Sequence, residues 1–276
     1  MQLRYRSAPR THVGLVRKVN EDAMLARDDV ALWVVADGMG GHDNGQWAAQ
    51  TLVEQLARLD LQINRNARGA AIVRAIEEGN RAINAAATAA GKQMGTTAVL
   101  VHCDADDVLL IWVGDSRIYR LRGSEFAQLT RDHTLVQDLV DRGTLDPAEA
   151  ETHPMSHVLS RAVGTEPNLR YDSIVEKARA GDRYLLCSDG LTKCVTDARM
   201  AAILSAGTID TAADRLIAET LDGGAPDNTT VVVLSAEEAT ALGAAACAVV
   251  SRGGDRAARQ LYDALGVPRE PMPRLG

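Results

Sequence analysis

Aromatic residues are scarce in this 276-residue sequence: they make up 3% of it, with a single Phe. A folded core must therefore be built from Ala, Val and Leu. Long apolar runs are also missing, since none approaches the ~18 residues that a membrane-spanning helix needs. This predicts no membrane insertion. Residues 1–6 have no apolar stretch either, from which we expect no signal peptide.

An excess of basic residues is likewise absent. The formal net charge is −7 and the isoelectric point is near 5.4, which argues against a nucleic-acid partner or an anionic membrane surface. The four cysteines (Cys103, Cys187, Cys194 and Cys247) form no CxxC pair. Free cysteines among apolar or small residues behave as small hydrophobes, so we expect a reducing, cytoplasmic location.

Five short segments are predicted to be β-strands, because they are rich in aliphatic residues and bounded by Asp and Gly. They are Ala31–Ala36, Thr97–Cys103, Val108–Val113, Tyr184–Cys187 and Thr230–Leu234. Tight turns at residues 104–107, 114–116 and 123–124 leave no room for parallel crossovers. We therefore expect an antiparallel meander through the middle of the chain.

Two longer segments, Gln46–Leu59 and Arg68–Ala87, repeat apolar residues at helical spacing. Helices that are grouped apart from antiparallel strands indicate an α+β layered fold. Residues 131–175 are irregular, apart from a short helical pattern at Leu135–Val140, and are predicted to be a surface excursion over a site. We expect one domain over residues 1–240, followed by an Ala-rich tail over residues 241–276.

Four aspartates stand at the mouths of predicted strands: Asp37, Asp115, Asp189 and Asp227. One such residue is ordinary turn chemistry, because Asp and Gly favour turns. Four can converge if the strands form one sandwich, and clustered carboxylates are tolerable only around cations. Oxygen-only coordination favours Mg²⁺ or Mn²⁺. Zinc is disfavoured, because Pro154 interrupts any helix that would align His153 with His157.

Eight motifs, in order over residues 7–235, resemble the bacterial metal-dependent serine/threonine phosphatases of the protein phosphatase 2C (PPM) family. The matching segments are Gly14–Asp22, Val35–Gly45, Gly95–Thr97, Val113–Tyr119, Leu129–His133, Leu159–Gly164, Leu185–Leu191 and Gly224–Thr229. The resemblance implies a central antiparallel β-sandwich flanked by helices on both sides, with residues 131–175 as a flap.

The same resemblance implies the roles of individual residues. Asp37 would bridge two metal ions, and the Gly38 carbonyl would bind one of them. Asp189 and Asp227 would complete the ligands of the first metal. Asp115 would hold a weaker third ion together with Asp189. Outside these ligands, Glu21 and Asp22 would hold metal-bound waters, and Arg17 would contact the substrate phosphate.

This arrangement implies hydrolysis of phosphoserine and phosphothreonine on proteins. Two close metal ions lower the pKa of a bridging water, so that hydroxide can attack phosphorus in line with the ester oxygen. Some family members place a His directly after the Asp-Gly pair as general acid, but Met39 stands here. Because His42 is shifted by three residues, we transfer no role to it. Metal-bound water is the alternative proton source.

Two other function classes compete with this interpretation. Residues 104–108 match DxDxV, the nucleophile motif of haloacid-dehalogenase-like phosphatases, but the chain turns at once into the next strand and favours a hairpin loop. A pseudophosphatase that binds phosphoproteins without hydrolysis would have lost a metal-ligating Asp, and none is lost. The expected partners are phosphoprotein substrates and, by resemblance, a cognate serine/threonine kinase. We expect a monomer.

Overall fold

The computed structural model describes residues 3–41, 43–150 and 153–239. Residues 3–237 form one compact unit. The predicted tail over residues 241–276, together with Cys247 and His42, lies outside the described residues. The three cysteines within them, Cys103, Cys187 and Cys194, are free.

Within the described part of the chain, eleven strands form two β-sheets. In chain order they are β1 Leu3–His12, β2 Asp22–Arg27, β3 Leu32–Met39, β4 Gly95–Thr96, β5 Ala98–Asp104, β6 Asp107–Val113, β7 Arg117–Arg122, β8 Glu125–Gln128, β9 Asp172–Lys177, β10 Arg183–Cys187 and β11 Thr229–Glu238. One sheet has the order β1-β11-β10-β7-β8, and the other has the order β2-β3-β5-β6-β9 with β4 beside β3. The pairs β2–β3, β3–β5, β5–β6, β6–β9, β7–β8, β7–β10 and β10–β11 are antiparallel.

Seven helices accompany the sheets within the described residues. They are α1 Asp43–Ala57, α2 Arg65–Ala90, α3 Leu135–Asp141, α4 Pro147–Ala150, α5 Asp189–Thr192, α6 Asp197–Ser205 and α7 Ile209–Asp222. A side-chain oxygen of the preceding residue caps the first turn of α2, α3, α6 and α7. None of the helices among these residues has the length and apolar character needed to cross a membrane.

Alternation along the strands sorts the buried side chains into three layers, because successive residues point to opposite faces. On β3, Trp33 and Val35 face the space between the sheets, whereas Val34 packs against α1 and α2. On β10, Leu186 faces the same central layer and Leu185 packs against α6 and α7. Residues 3–237 therefore form an α-β-β-α sandwich, and the predicted α+β class with helices on both sides is confirmed.

The five predicted strands and both predicted helices are present, with ends that differ by a few residues. The predicted meander is wrong at one connection. The turn after β6 does not form a hairpin, because β6 and β7 belong to different sheets. The predicted meander is instead two hairpins, β5–β6 and β7–β8, and the segment Gly114–Ser116 between them crosses from one layer to the other.

The predicted flap, residues 131–175, contains α3 and α4, and its last four residues begin strand β9. Its start is bonded to the sandwich: the His133 N–H donates to the Gly114 carbonyl oxygen at 2.9 Å, and the Gly114 N–H donates to His133 Nδ1 at 3.2 Å. A bridge between Thr96 and Val163 ties its later part to β4.

Candidate metal centre

The register of the two sheets brings one end of the sandwich together. Asp22 at the start of β2 pairs with Asp37 near the end of β3. Three further acids flank strands of the other sheet at this same end: Asp115 precedes β7, Asp189 follows β10 and Asp227 precedes β11. Cys187 at the end of β10 pairs with Arg117 in β7 and Val231 in β11, so these three strand ends are neighbours. We call these five residues the carboxylate cluster.

The backbone around Asp37 is held on both sides. The Asp37 N–H donates to Thr97 Oγ1 at 2.9 Å, and the Asp37 carbonyl oxygen accepts from the Thr97 N–H at 2.8 Å. Gly38 follows in a crowded position, where an added Cβ would lie 2.2 Å from the Gly45 carbonyl oxygen. Only glycine leaves room there for helix α1 to approach the end of β3 so closely.

Asp115 lies on the segment that crosses between the sheets. The preceding Gly114 has φ = +102°, a backbone conformation that favours glycine. The Ser116 and Thr97 hydroxyl groups are 2.7 Å apart, so the Asp115 segment is linked to the residue that also holds the Asp37 backbone. Two of the acids predicted from sequence are thus fixed by one pair of buried hydroxyls.

Asp189 and Asp227 share a cation from the protein itself. Lys193 Nζ lies 2.5 Å from Asp189 Oδ2 and 2.9 Å from Asp227 Oδ2. Arg17 makes a two-point pair with Asp227, with Nε 2.9 Å from Oδ1 and Nη2 3.0 Å from Oδ2. Arg17 is therefore placed beside a predicted ligand at the mouth of the cluster, and its side chain is half-exposed.

Sequence reasoning did not single out three residues of this network: Ser188, Asn228 and Lys193. Ser188 Oγ donates to Asp22 Oδ2 at 2.8 Å. Asn228 Oδ1 accepts from the Glu21 N–H at 2.8 Å, and Asn228 Nδ2 donates to the carbonyl oxygens at residues 13 and 19. Ser188 and Asn228 stand next to aspartates inside matched motifs, which is the signal that could have found them. Lys193 belongs to no motif.

Glu21 lies beside the cluster rather than within it. Its carbonyl oxygen accepts from the Gly38 N–H at 3.2 Å, and its carboxylate lies against Gly45, where an added Cβ would be 2.0 Å from Oε2. The expected outer position of Glu21 is compatible with this placement. Asp22 is closer to the centre, in direct register with Asp37.

Burial and mutual repulsion make three of the acids hard to ionise. Burial, reinforced by the charges of Asp22 and Asp189, raises the pKa of Asp37 well above its usual range. Burial raises the pKa of Asp22 to about 7 and, together with Asp189, that of Asp115 to about 7. Asp227 behaves differently: burial opposes ionisation, yet Lys193 and Arg17 hold its pKa below its ordinary value.

The cluster has the chemistry of a site for hard divalent cations. All of its donors are oxygens, as Mg²⁺ and Mn²⁺ prefer. Asp22 Oδ1 and Asp189 Oδ1 are buried without a hydrogen-bond partner, although buried polar atoms are normally satisfied. No group of three or more His, Cys, Asp and Glu side chains in the described ranges is arranged as a complete metal site. The donor atoms have the chemistry that such a cation requires, but Lys193 and Arg17 are paired with two of the acids, Asp189 and Asp227.

The neighbourhood of Met39 is open. Met39 lines a cavity of about 450 Å³ together with the C-terminal end of α2, residues 92–94 and residues 164–165 of the flap. His42, to which no role is transferred, is outside the described residues.

The DxDxV match at residues 104–108 is a hairpin loop. Asp104 pairs with Asp107 in the antiparallel ladder between β5 and β6, and Ala105 has φ = +58°. A haloacid-dehalogenase nucleophile would need a loop and helix here, leading to a parallel strand. This alternative is excluded by the topology.

Comparison with known proteins identifies the family to which this sandwich, with carboxylates at its strand ends, belongs. The family model for "Protein phosphatase 2C" matches residues 15–222. This chain belongs to the protein phosphatase 2C family.

Several characterised relatives are similar over most of this chain. The serine/threonine protein phosphatase PstP of Mycobacterium tuberculosis is 42% identical over 236 residues, which is 84% of this chain and 44% of the relative. This chain therefore spans less than half of that protein. The serine/threonine phosphatase stp of Listeria innocua is 34% identical over 235 residues, 82% of this chain and 93% of the relative.

Solved structures show the same architecture. The catalytic domain of PstP, in complex with two manganese ions, superposes with a TM-score of 0.78 and 39% identity, covering 86% of this chain and all of that domain. The predicted fold is confirmed by this likeness.

Proposed function

We propose that this chain hydrolyses phosphoserine and phosphothreonine esters on proteins with the help of two Mn²⁺ or Mg²⁺ ions. The observation that supports this most directly is the carboxylate cluster: five acids from distant parts of the chain, of which Asp22, Asp37 and Asp115 have raised pKa values and two have an unpartnered buried oxygen. Clustered carboxylates repel one another, and a divalent cation would relieve that repulsion. The reaction is inferred from the relatives, which are named serine/threonine phosphatases.

The proposed ligands are Asp37, the Gly38 carbonyl, Asp189 and Asp227, with Asp115 and Asp189 holding a weaker third ion. Glu21 and Asp22 would position water around them. When bound, the ions would act as Lewis acids and make hydroxide available from water near neutral pH. The raised pKa values of Asp22 and Asp115 mean that bound protons must leave before these carboxylates can serve a cation fully.

Arg17 is proposed to hold the substrate phosphate. Its pair with Asp227 uses Nε and Nη2, which leaves the Nη1 edge of the fork for a phosphate oxygen. A guanidinium offers planar, two-point contact with phosphate and offsets negative charge that grows on the equatorial oxygens. Since no side chain of this chain needs to form a bond to phosphorus, the proposal requires no nucleophilic Cys or Ser.

The decisive experiment measures hydrolysis of p-nitrophenyl phosphate and of a phosphothreonine peptide, with Mn²⁺ or after thorough treatment with EDTA. We expect turnover with either substrate only when the metal is present. Undiminished turnover after chelation would refute the metal mechanism. Tight peptide binding without hydrolysis at saturating Mn²⁺ would instead identify a pseudophosphatase.

The biological setting is also a proposal. A serine/threonine kinase whose products this chain dephosphorylates is the partner we propose, acting in the cytoplasm on a monomeric phosphatase of residues 1–240. Phosphoproteomes with and without the gene would identify the shared substrates. Light scattering on the purified protein would test the monomer.

A further inference from the structure

Lys193 is the one member of the network that no motif and no proposed role explains. It directly follows helix α5, whose first residue is Asp189, and its N–H donates to the Asp189 carbonyl oxygen at 3.0 Å. This short turn directs the side chain back toward the cluster. Its ammonium bridges Asp189 and Asp227 with a side chain that is 36% exposed, against 19% and 21% for the two acids.

The pair of contacts is electrostatically strong. A lysine ammonium is a compact point charge with three donors. Both Asp189 Oδ2 and Asp227 Oδ2 lie within 2.9 Å of this ammonium, so its charge faces two carboxylates at once. Breaking one side of a partly buried ion pair leaves an uncompensated charge. Any ligand that takes these carboxylates from Lys193 must therefore offer them comparable charge.

The oxygens that Lys193 uses are the oxygens that a cation would need. Asp189 Oδ2 and Asp227 Oδ2 face Nζ, and Asp227 Oδ1 accepts from the Asn228 N–H and pairs with Arg17. Of the four carboxylate oxygens of these two acids, Asp189 Oδ1 is the one that is buried without a hydrogen-bond partner. A divalent ion shared by both acids would come within a few ångströms of the ammonium, where like charges repel.

We propose that Lys193 is a built-in competitor for metal: its ammonium and a divalent cation contend for Asp189 and Asp227, so this residue sets the metal affinity of the centre. The inference rests on the proposed function, because it takes these two acids as ligands. Lys193 acts through the carboxylates and is a positioning residue rather than a catalytic one.

The molecule contains a matched control for this arrangement. Lys177 also bridges two aspartates, with Nζ 3.2 Å from Asp106 Oδ2 and 2.7 Å from Asp107 Oδ1. It is 63% exposed and lies at the other end of β6, about 20 Å away at the usual rise per strand residue. Replacing either lysine by Met removes one charge and one two-aspartate bridge, but only Lys193 touches the carboxylate cluster.

The test is calorimetric titration of Mn²⁺ into EDTA-stripped, dialysed protein. We expect Lys193→Met to bind Mn²⁺ at least about tenfold more tightly than wild type, which corresponds to ~1.4 kcal/mol. Lys177→Met should match wild type. Lys193→Arg keeps the charge and should stay near the wild-type affinity. An unchanged or weaker Kd for Lys193→Met would overturn the proposal.

Chemical labelling of the wild-type protein gives a readout that does not depend on a variant folding. An amine-acetylating reagent, followed by mass spectrometry, should modify Lys193 several-fold faster when Mn²⁺ is present, because the ammonium has been displaced from its carboxylates. Lys177 should react at the same rate with and without Mn²⁺. Equal labelling of Lys193 in both conditions would contradict displacement.

The two proposals fail in different ways. If wild-type protein neither binds Mn²⁺ nor hydrolyses phosphopeptide, both the proposed function and the competition are wrong. If wild type binds Mn²⁺ and hydrolyses phosphopeptide, yet Lys193→Met shows no gain in affinity, only the competition is wrong.

Discussion

The two ends of the sandwich hold similar charges in different surroundings. At one end lie the carboxylate cluster, Arg17 and Lys193. At the other end, where the β5–β6 hairpin turns, Arg65 and Lys177 pair with three aspartates: Asp104, Asp106 and Asp107. Both ends therefore combine an Arg, a Lys and several Asp residues. In the sequence, one end contains the predicted metal ligands and the other contains the DxDxV match at residues 104–108.

What separates the two ends is burial. At the hairpin end, Lys177 lowers the pKa of Asp106, the usual behaviour of an exposed paired acid, and such surface pairs add little stability. In the carboxylate cluster, burial raises the pKa of Asp22, Asp37 and Asp115. Two buried carboxylate oxygens there lack a partner. The same residue types form solvated ion pairs at one end and a buried cluster of carboxylates at the other.

The largest expected difference between the ends is in catalysis. Asp37→Asn should lower turnover by at least about 1000-fold, or ~4 kcal/mol, because the proposed bridging ligand loses its charge. The fold should survive, and the melting temperature in EDTA should not fall, since repulsion with Asp22 and Asp189 is relieved. Steady-state kinetics with saturating Mn²⁺, beside thermal melting, measure both effects.

The matched control for this change is Asp107→Asn at the hairpin end. It removes a carboxylate that pairs with Arg65 and Lys177, and turnover should stay within about twofold of wild type because exposed pairs contribute little. Near-normal turnover in Asp37→Asn would show that the metal centre has been misplaced.

Asp115 gives the next largest effect, and it separates a turn residue from a metal ligand. If Asp115 helps hold a third ion used in turnover, the turnover of Asp115→Ala should fall about 100-fold, or ~2.7 kcal/mol, even at saturating Mn²⁺. The two tighter ions and the fold should be retained. If Asp115 only stabilises the crossing segment, the variant should lose about 1 kcal/mol of stability and keep its kinetics.

Metal titration, melting and kinetics run on the same preparation distinguish these outcomes. An Asp115→Ala protein that melts early but hydrolyses p-nitrophenyl phosphate and a phosphopeptide at wild-type rates would remove Asp115 from the site. Ser116→Ala is a useful comparison, because it disturbs the same segment through the Thr97 hydroxyl contact without removing a charge.

The sequence predicted the acids of this centre better than it predicted their surroundings. Asp37 and Asp189 each follow an apolar run and precede a glycine, a local signal that needs no knowledge of the fold. The partners of these acids are distant in sequence: Arg17 reaches Asp227 across 210 positions, and Lys193 reaches it across 34. Nothing local to Lys193 indicates that second contact.

Two of the strands that were not predicted from the sequence share a position in the fold. Strands β1 and β9 lie at sheet edges, where few side chains are buried and the apolar pattern is weak. The crossing at Gly114–Ser116 was mistaken for a hairpin because a three-residue turn allows either connection. The choice depends on which layer the following strand packs into, and that is a property of the whole sandwich rather than of the turn.

The pH dependence of stability offers a further contrast between the ends. An acid whose folded pKa is raised binds more protons when folded, so it costs stability as pH rises from its unfolded pKa to its folded pKa. For Asp22 this window runs from about 4 to about 7. In EDTA, Asp22→Asn should therefore be more stable than wild type at pH 7.5, by roughly 1–2 kcal/mol. The gain should shrink toward pH 4.

Denaturant unfolding at several pH values measures this effect. Asp106→Asn, at the hairpin end, should behave oppositely, because the pKa of Asp106 is lowered and its pairing favours the folded state above that pKa. A gain in Asp22→Asn that is the same at pH 4.5 and pH 7.5 would contradict a burial-driven shift.

The smallest expected effect concerns the two arginines. Arg17 and Arg65 have side chains that are 52% and 51% exposed, and each makes two contacts of 2.7–3.1 Å with aspartate carboxylate oxygens. Arg17→Lys replaces a planar fork by a point charge, so we expect KM for a phosphopeptide to rise about fivefold to tenfold, or ~1–1.4 kcal/mol. Arg65→Lys should leave KM unchanged. The Mn²⁺ affinity of Arg17→Lys should match wild type if Arg17 serves the phosphate. A changed Mn²⁺ affinity with an unchanged KM would mean that Arg17 instead orients Asp227, and the difference between the two ends would then lie in their carboxylates alone.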